Sequence, residues 1–236
     1  MSENASVSTS NSATVRFAFK TTIPVLVGYL GLGMAFGIML EEQGFGPLWA
    51  GLFSLITYGG TIQYLAISML TAVFNPFEAF ILSFLVGFRH IFYGISFAEK
   101  YRGMGWRKLF LIYGLSDETF SLISSTDVPE DVDPKNFYLF VTLMDHSYWI
   151  LGSILGGVVG SLITFNTTGL SFILTALFVV LFMEQIKKPE NRASGLLGIV
   201  ASAFCVLLFK DDMMIPAMIL IVAIILLWRR ISVHRV

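Results

Sequence analysis

The chain has 236 residues, of which 56% are hydrophobic and only 13% charged, with a formal net charge of −1. A soluble domain usually carries about 25% charged residues, so there are too few ions here to cover a globular surface. The RNA- and DNA-reading motifs are absent, and the single cysteine, Cys205, excludes disulfides and thiolate metal clusters.

Residues 1–14 are Ser- and Asn-rich and read as a disordered polar tail. Residues 15–230 read as one transmembrane domain, and 231–236 as a short C-terminal tail. Candidate membrane segments follow at 16–40, 48–74, 77–98, 107–126, 137–163, 169–186, 194–209 and 213–229. Several contain long charge-free runs, and a spanning helix needs roughly 20 mostly apolar residues. The gaps hold loop punctuation: Gly44 and Pro47, Asn75-Pro76, Gly103 and Gly105, Pro129 and Pro134, Pro189. The first apolar segment ends at Glu41-Glu42 without a small-residue cleavage pattern, so it reads as a retained span. No internal repeat is visible.

Lys and Arg in short loops set membrane orientation. Arg16 and Lys20 precede the first segment, and Arg229, Arg230 and Arg235 follow the last. Lys187, Lys188 and Arg192 mark one loop, and Lys100, Arg102, Arg107 and Lys108 the most basic one. With all four clusters cytoplasmic, both termini lie inside. Eight full crossings would place the 99–108 loop outside. The conflict disappears if 48–74 and 107–126 enter the membrane and return on the same side. Gly59-Gly60 interrupts the first, and Asp117-Glu118 sits at the middle of the second. The expected fold is all-α: a polytopic bundle of about six crossings plus two broken or re-entrant segments, with eight crossings the alternative.

Four polar constellations lie deep in these segments. In Thr57-Tyr58-Gly59-Gly60-Thr61-Ile62-Gln63-Tyr64, paired glycines weaken the helix and Thr61 is a good N-cap. A half-helix starting near Thr61 would aim free N–H groups into the membrane, a ready anion site. Close helix packing at small residues is the alternative. Arg89-His90-x-x-Tyr93 puts three polar groups on one broad helical face. An arginine at bilayer centre costs roughly 2.5–3.5 kcal/mol, so it lines a polar route or pairs structurally. Asp117-Glu118 cannot cheaply be doubly ionised in low dielectric, so the pair can carry a proton or neutralise Arg89 or a substrate ammonium. A solvated cytoplasmic turn is the competing reading. Asp145-His146, with Thr142 and Trp149 on the same face, suits either a proton relay or the headgroup level. Gly152-Ser153, Gly156-Gly157 and Gly160-Ser161 form a helix-packing face.

Four blocks carry a resemblance: GGTIQYLA at 59–66, VGFRHIFYGIS at 86–96, LSDETFSLI at 115–123 and TTGLSFILTALFVVL at 167–181. The chain resembles the AzlC (YgaZ-like) family, the large subunits of bacterial branched-chain amino-acid exporters. It carries Gly87 where that family usually has Asn, and Ser171 and Thr175 in a block that usually holds Asp. The resemblance implies export of Leu, Ile, Val or similar neutral amino acids, driven by an ion gradient. It also implies a small AzlD-like membrane partner. No Gly-rich phosphate loop is present, so no ATPase and no cofactor are expected. Substrate binding falls to Thr57, Gly59, Gly60, Thr61, Gln63, Tyr64, Arg89 and Tyr93, and proton or ion coupling to His90, Asp117, Glu118, Asp145 and His146. The rival readings are a passive channel, an importer of another small solute, or an intramembrane enzyme, for which no metal or nucleophile motif is present.

Overall fold

A computed structural model describes residues 11–71, 75–162 and 192–209, with a few single positions between 179 and 224. It divides into two units, residues 1–171 and 172–236. Among the described residues every regular element is a helix, as expected. The first unit holds α1 (Asn11–Glu42), α2 (Pro47–Thr57), α3 (Gly60–Thr71), α4 (Pro76–Phe97), α5 (Arg107–Tyr113), α6 (Asp117–Ser125) and α7 (Pro134–Leu162). The second holds α8 (Arg192–Phe209). By length and composition, α1 and the Ala79–Phe97 stretch of α4 could each cross a membrane. The expected segments at 169–186 and 213–229, the block at 167–181 and the tail 231–236 lie largely or wholly outside the described residues.

The first helix starts earlier than composition suggests. α1 begins at Asn11, inside the stretch read as a disordered tail, and Thr14 is fully buried. The start of α7 holds it in place. Asn136 Nδ2 donates to Asn11 Oδ1 at 3.2 Å, and the Asp133 N–H donates to Thr14 Oγ1 at 3.4 Å. A terminus becomes ordered when its backbone is tied down in this way.

α1 and α7 run parallel and pack together more extensively than any other pair. The glycine face predicted on α7 is what permits it. A Cβ on Gly156 would strike the backbone of Met34, one on Gly37 the carbonyl of Ser153, and one on Gly152 would lie 2.7 Å from the Tyr29 carbonyl oxygen. Without a hydrophobic drive between helices in lipid, such close backbone approach is a main source of attraction.

Two helical hairpins lean on this pair from opposite ends. α2 begins with Pro47 against Gly157, near the C-terminal end of α7, and descends until the Tyr58 ring meets His146 at 4.2 Å. α3 then turns back: Gly60 faces Trp149, and Tyr64 reaches Leu32 and Phe36 further up α1. The second hairpin approaches from the Asn11 end. Arg107 at the start of α5 donates to Asn136 Oδ1 at 3.1 Å, while the Ile123 carbonyl near the end of α6 accepts from Lys100 Nζ at 3.1 Å. Phe97, Tyr101, Leu111, Ile123 and Phe137 share one apolar cluster with Ala18 of α1 at that end. α5 and α6 therefore start and finish on the same side.

The order long helix, Gly-x-Gly loop, short helix, break, short helix thus occurs twice, in opposite directions. Gly44 (φ +82°) opens the first loop, and Gly103 (φ +74°) and Gly105 (φ +55°) serve the second, a left-handed conformation that only glycine adopts cheaply. A Tyr-Gly pair marks each break: Tyr58-Gly59 forms the first, and Tyr113-Gly114 opens the second. The repeat escapes a linear reading because only these short signatures survive in both halves.

Candidate functional site

At the first break, α2 ends at Thr57, Tyr58 occupies the C-cap and α3 starts at Gly60. The half-helix begins one residue before the expected Thr61 cap, and Thr61 lies partly exposed in its first turn. Gln63 closes the break instead. Its Oε1 accepts from Trp149 Nε1 at 2.7 Å and from the Gly59 N–H at 3.4 Å, and its Nε2 donates to Ser54 Oγ at 3.0 Å. Ser54 Oγ passes a hydrogen bond to Ser153 Oγ at 2.7 Å. Tyr64 donates to the Leu32 carbonyl at 2.6 Å. Gln63 is fully buried and Tyr64 nearly so, so both spend their polar groups on the protein. Gly60 fits closely against Trp149: a Cβ there would sit 3.0 Å from Cη2, so the ring would have to give way by a few tenths of an ångström. Thr57, Gly59 and Thr61 stay partly exposed at the tip.

The second break falls at Gly114-Leu115-Ser116, and the acidic pair therefore opens α6 rather than sitting mid-helix. Ser116 is the N-cap, its Oγ accepting the Thr119 N–H at 3.1 Å. Asp117 and Glu118 follow in the first turn, where the positive end of the helix dipole favours carboxylates. A serine ahead of two acids is a helix-start signal, and it could have located the break.

Around this start the charges converge. Arg89 Nη2 lies 2.8 Å from Asp117 Oδ2. Tyr93, one turn along α4, stacks on Phe120 with centroids 4.5 Å apart. His90 turns its ring edge to Tyr93 at 5.7 Å, with Nδ1 3.1 Å from the Gly87 carbonyl. Tyr29 of α1 reaches Glu118 Oε2 at 2.6 Å and Ser116 Oγ at 2.8 Å. Thr119 donates to Asp145 Oδ2 at 2.7 Å. The pair is not sealed: the Arg89 and Asp117 side chains keep 42% and 28% of their exposure. Nor is it saturated: among the described residues, Arg89 Nε, Asp117 Oδ1 and Asp145 Oδ1 are buried atoms without a hydrogen-bond partner. Buried polar atoms without partners are rare in folded proteins and are more often found where a site has a function.

Both tips meet at one level of α7. Asp145 serves the second break, while His146 lies 3.3 Å from the Ser54 carbonyl and Trp149 holds Gln63. Tyr113 at the end of α5 donates to the Leu55 carbonyl of α2 at 2.6 Å, joining the tips directly. The structure brings Arg89, Tyr93, Asp117, Glu118 and Asp145 together, and puts Gln63, Tyr64 and His146 in a neighbouring, internally satisfied cluster. Sequence reasoning missed Tyr29, Ser54 and Thr119; Trp149 stood out only as sharing a face with Asp145-His146, and Ser116 only as flanking the acidic pair.

The family model described as AzlC protein matches residues 24–163, which contain both hairpins. The chain is 42% identical to the "Branched-chain amino acid transport protein AzlC" of Bacillus subtilis, over 92% of this chain and 86% of that one. It is 39% identical to an "Uncharacterized membrane protein" of Helicobacter pylori, over 90% and 94%. Against the "Inner membrane protein YgaZ" of Escherichia coli it is 27% identical, over 80% and 81%. No solved structure matches. With a family model covering more than half of its length and a close relative covering nearly all of it, the chain belongs to the AzlC family.

Proposed function

We propose that this chain is the large subunit of a membrane transporter that exports branched-chain or similar neutral amino acids across the cytoplasmic membrane. An ion or proton gradient drives it, and a small AzlD-like membrane subunit completes it. The observation that carries the reading is the half-exposed Arg89–Asp117 pair at the broken start of α6, with one unsatisfied nitrogen and one unsatisfied oxygen. A zwitterion can insert between such partners, its carboxylate taking the guanidinium and its ammonium taking Asp117 or Glu118. Each charge keeps a partner throughout, which limits the cost of leaving water. The Tyr93 and Phe120 rings beside the pair offer apolar surface to a branched side chain, and such surface discriminates weakly among homologues. The name of the Bacillus relative supports this substrate class.

The topology we propose is about six crossings with two re-entrant hairpins and both termini in the cytoplasm; the short α5–α6 hairpin supports its re-entrant part. α5 and α6 together extend about 24 Å, short of the roughly 30 Å hydrocarbon core. The basic 98–108 loop also lies at the same end as Arg16 and Lys20. A cysteine at Trp106, which is 87% exposed, should label from the cytoplasmic side only. Labelling from outside would refute the re-entrant topology. Gly103 is a poorer site, given its φ of +74°.

The functional test is efflux from cells lacking their own exporters. Cells expressing the chain, with and without the small partner, are loaded with leucine dipeptides. Faster leucine efflux and dipeptide resistance are expected. Unchanged efflux in both cases refutes the assignment.

A further inference from the structure

The second break holds more than a binding pair. Four oxygen-to-oxygen contacts run in series from the partly exposed Glu118 to the protein interior. Glu118 Oε2 to Tyr29 Oη is 2.6 Å, Tyr29 Oη to Ser116 Oγ 2.8 Å, Ser116 Oγ to Thr119 Oγ1 3.0 Å, and Thr119 Oγ1 to Asp145 Oδ2 2.7 Å. Every link is within hydrogen-bond distance. Every intermediate is a hydroxyl, able to accept one proton while giving another. The ends differ in access: Glu118 is partly exposed, whereas Asp145 and Thr119 are fully buried.

We infer that these three hydroxyls form a proton relay, and that Asp145 is the buried acceptor through which the transporter takes up its coupling proton. This rests on the ion-coupled reading above and names the ion. Asp145 accepts one hydrogen bond, from Thr119, and its Oδ1 is buried without a partner. An ionised carboxylate so poorly compensated is costly away from water, and protonation removes the cost. Among the described residues, the other groups nearby do not offer a counter-charge. Tyr58 of α2 stacks on His146 rather than bonding Asp145, His146 lies against the Ser54 carbonyl, and Arg89 is engaged by Asp117.

The transfer balances without a charged intermediate. When Glu118 carries a proton, it donates to Tyr29, Tyr29 to Ser116, Ser116 to Thr119, and Thr119 to Asp145. A shift along the chain breaks the Glu118 O–H bond and forms one on Asp145 Oδ2. Each hydroxyl loses its own hydrogen and gains its neighbour's. Glu118 ends as a carboxylate, available to a substrate ammonium, and Asp145 ends neutral. Rotation of the hydroxyls resets the wire.

The test uses the full chain in liposomes, with infrared detection of carboxylic acid C=O absorption after a pH jump. A protonation band is expected that disappears in Asp145→Asn and shifts when the aspartate carboxyls are isotopically labelled in the unmutated chain. The labelling keeps the test valid if that variant fails to fold. The rise of the band should slow by about 100-fold in Thr119→Val and Tyr29→Phe, and recover in Thr119→Ser. A band insensitive to aspartate labelling, or a rise in Thr119→Val as fast as in the unmutated chain, overturns the relay. A relay that passes this test in a chain giving no leucine efflux would sink the amino-acid reading alone. Intact efflux with no aspartate band would sink the relay alone.

Discussion

At the tip of the α2–α3 hairpin, Gln63 places both ends of its amide on Trp149, Gly59 and Ser54. At the tip of the α5–α6 hairpin, the Arg89–Asp117 pair is half-exposed and leaves atoms unsatisfied on both residues. The backbone device is shared: a Tyr-Gly pair, a short break and a half-helix that starts in the middle of the bundle. The chemistry differs. The first tip is neutral and, apart from the Tyr58 hydroxyl, satisfied by protein, so it anchors. The second is charged and open, so it is the one that can exchange partners with a solute. In a repeated fold, saturation of hydrogen bonds separates the supporting copy from the working copy better than burial or residue type does.

The largest effect that would break this contrast is expected at the second tip. Asp117→Asn keeps the size of the side chain and removes the charge facing Arg89. The initial rate of leucine efflux should fall by roughly 100-fold, the scale of losing an oriented charged group, while membrane insertion measured by fractionation is unchanged. Arg89→Gln should act alike, and the double variant should be no worse than either single one, because the two act as a unit. Additive losses would mean that the pair does not work together.

Gln63→Leu asks the converse at the first tip. The volume is conserved, but Trp149 Nε1 loses its acceptor and Ser54 its donor, both in fully dry surroundings. Unsatisfied buried partners cost about 1–3 kcal/mol each. A loss of roughly 2–6 kcal/mol is expected in denaturant unfolding of the purified protein, with the KM for leucine unchanged in the fraction that remains folded. A raised KM with intact stability would turn the anchoring tip into a binding one.

The contrast between the tips was only half visible in the chain. Gly59-Gly60 and Asp117-Glu118 stood out because glycine pairs and acids are anomalous inside apolar runs, and both did mark helix breaks. Their partners were not anomalous. Tyr29, Ser54, Thr119 and Trp149 are ordinary residues for a membrane helix; Ser54 and Thr119 lie on the hairpins themselves, while Tyr29 and Trp149 reach the tips from α1 and α7. The same holds for Gln63, whose polarity suggests a ligand but whose hydrogen bonds are consumed by Trp149 and Ser54, residues 86 and 9 positions away. The ordered start of α1 at Asn11 was hidden because Asn and Thr there are tied by the remote Asn136 and Asp133.

Both tips depend on the glycine seam between α1 and α7, and disturbing it should affect them together. In Gly156→Ala the new methyl meets backbone atoms of Met34, which cannot rotate aside. Overpacking of this kind costs about 1–3 kcal/mol. A lower melting temperature is expected, accompanied by partial loss of efflux. Full efflux at unchanged melting temperature would show that the helices separate without moving the tips.

The smallest change tests the bridge between the two. Tyr113 is 44% exposed, and its hydroxyl donates to the Leu55 carbonyl at 2.6 Å, linking the end of α5 to the last turn of α2. Tyr113→Phe removes one hydrogen bond and keeps the ring against His146 and Tyr58. Its stability cost should be about 0.5–1.5 kcal/mol, and the open carbonyl can find water at a half-exposed site. If the tips work independently, efflux should follow the small loss of folded protein and nothing more. If they move as one body during transport, the bridge must hold through the cycle, and the rate should fall by more than the folded fraction does. Measuring efflux per folded molecule in this variant therefore decides whether the anchoring hairpin is a passive support or travels with the hairpin that carries the charge.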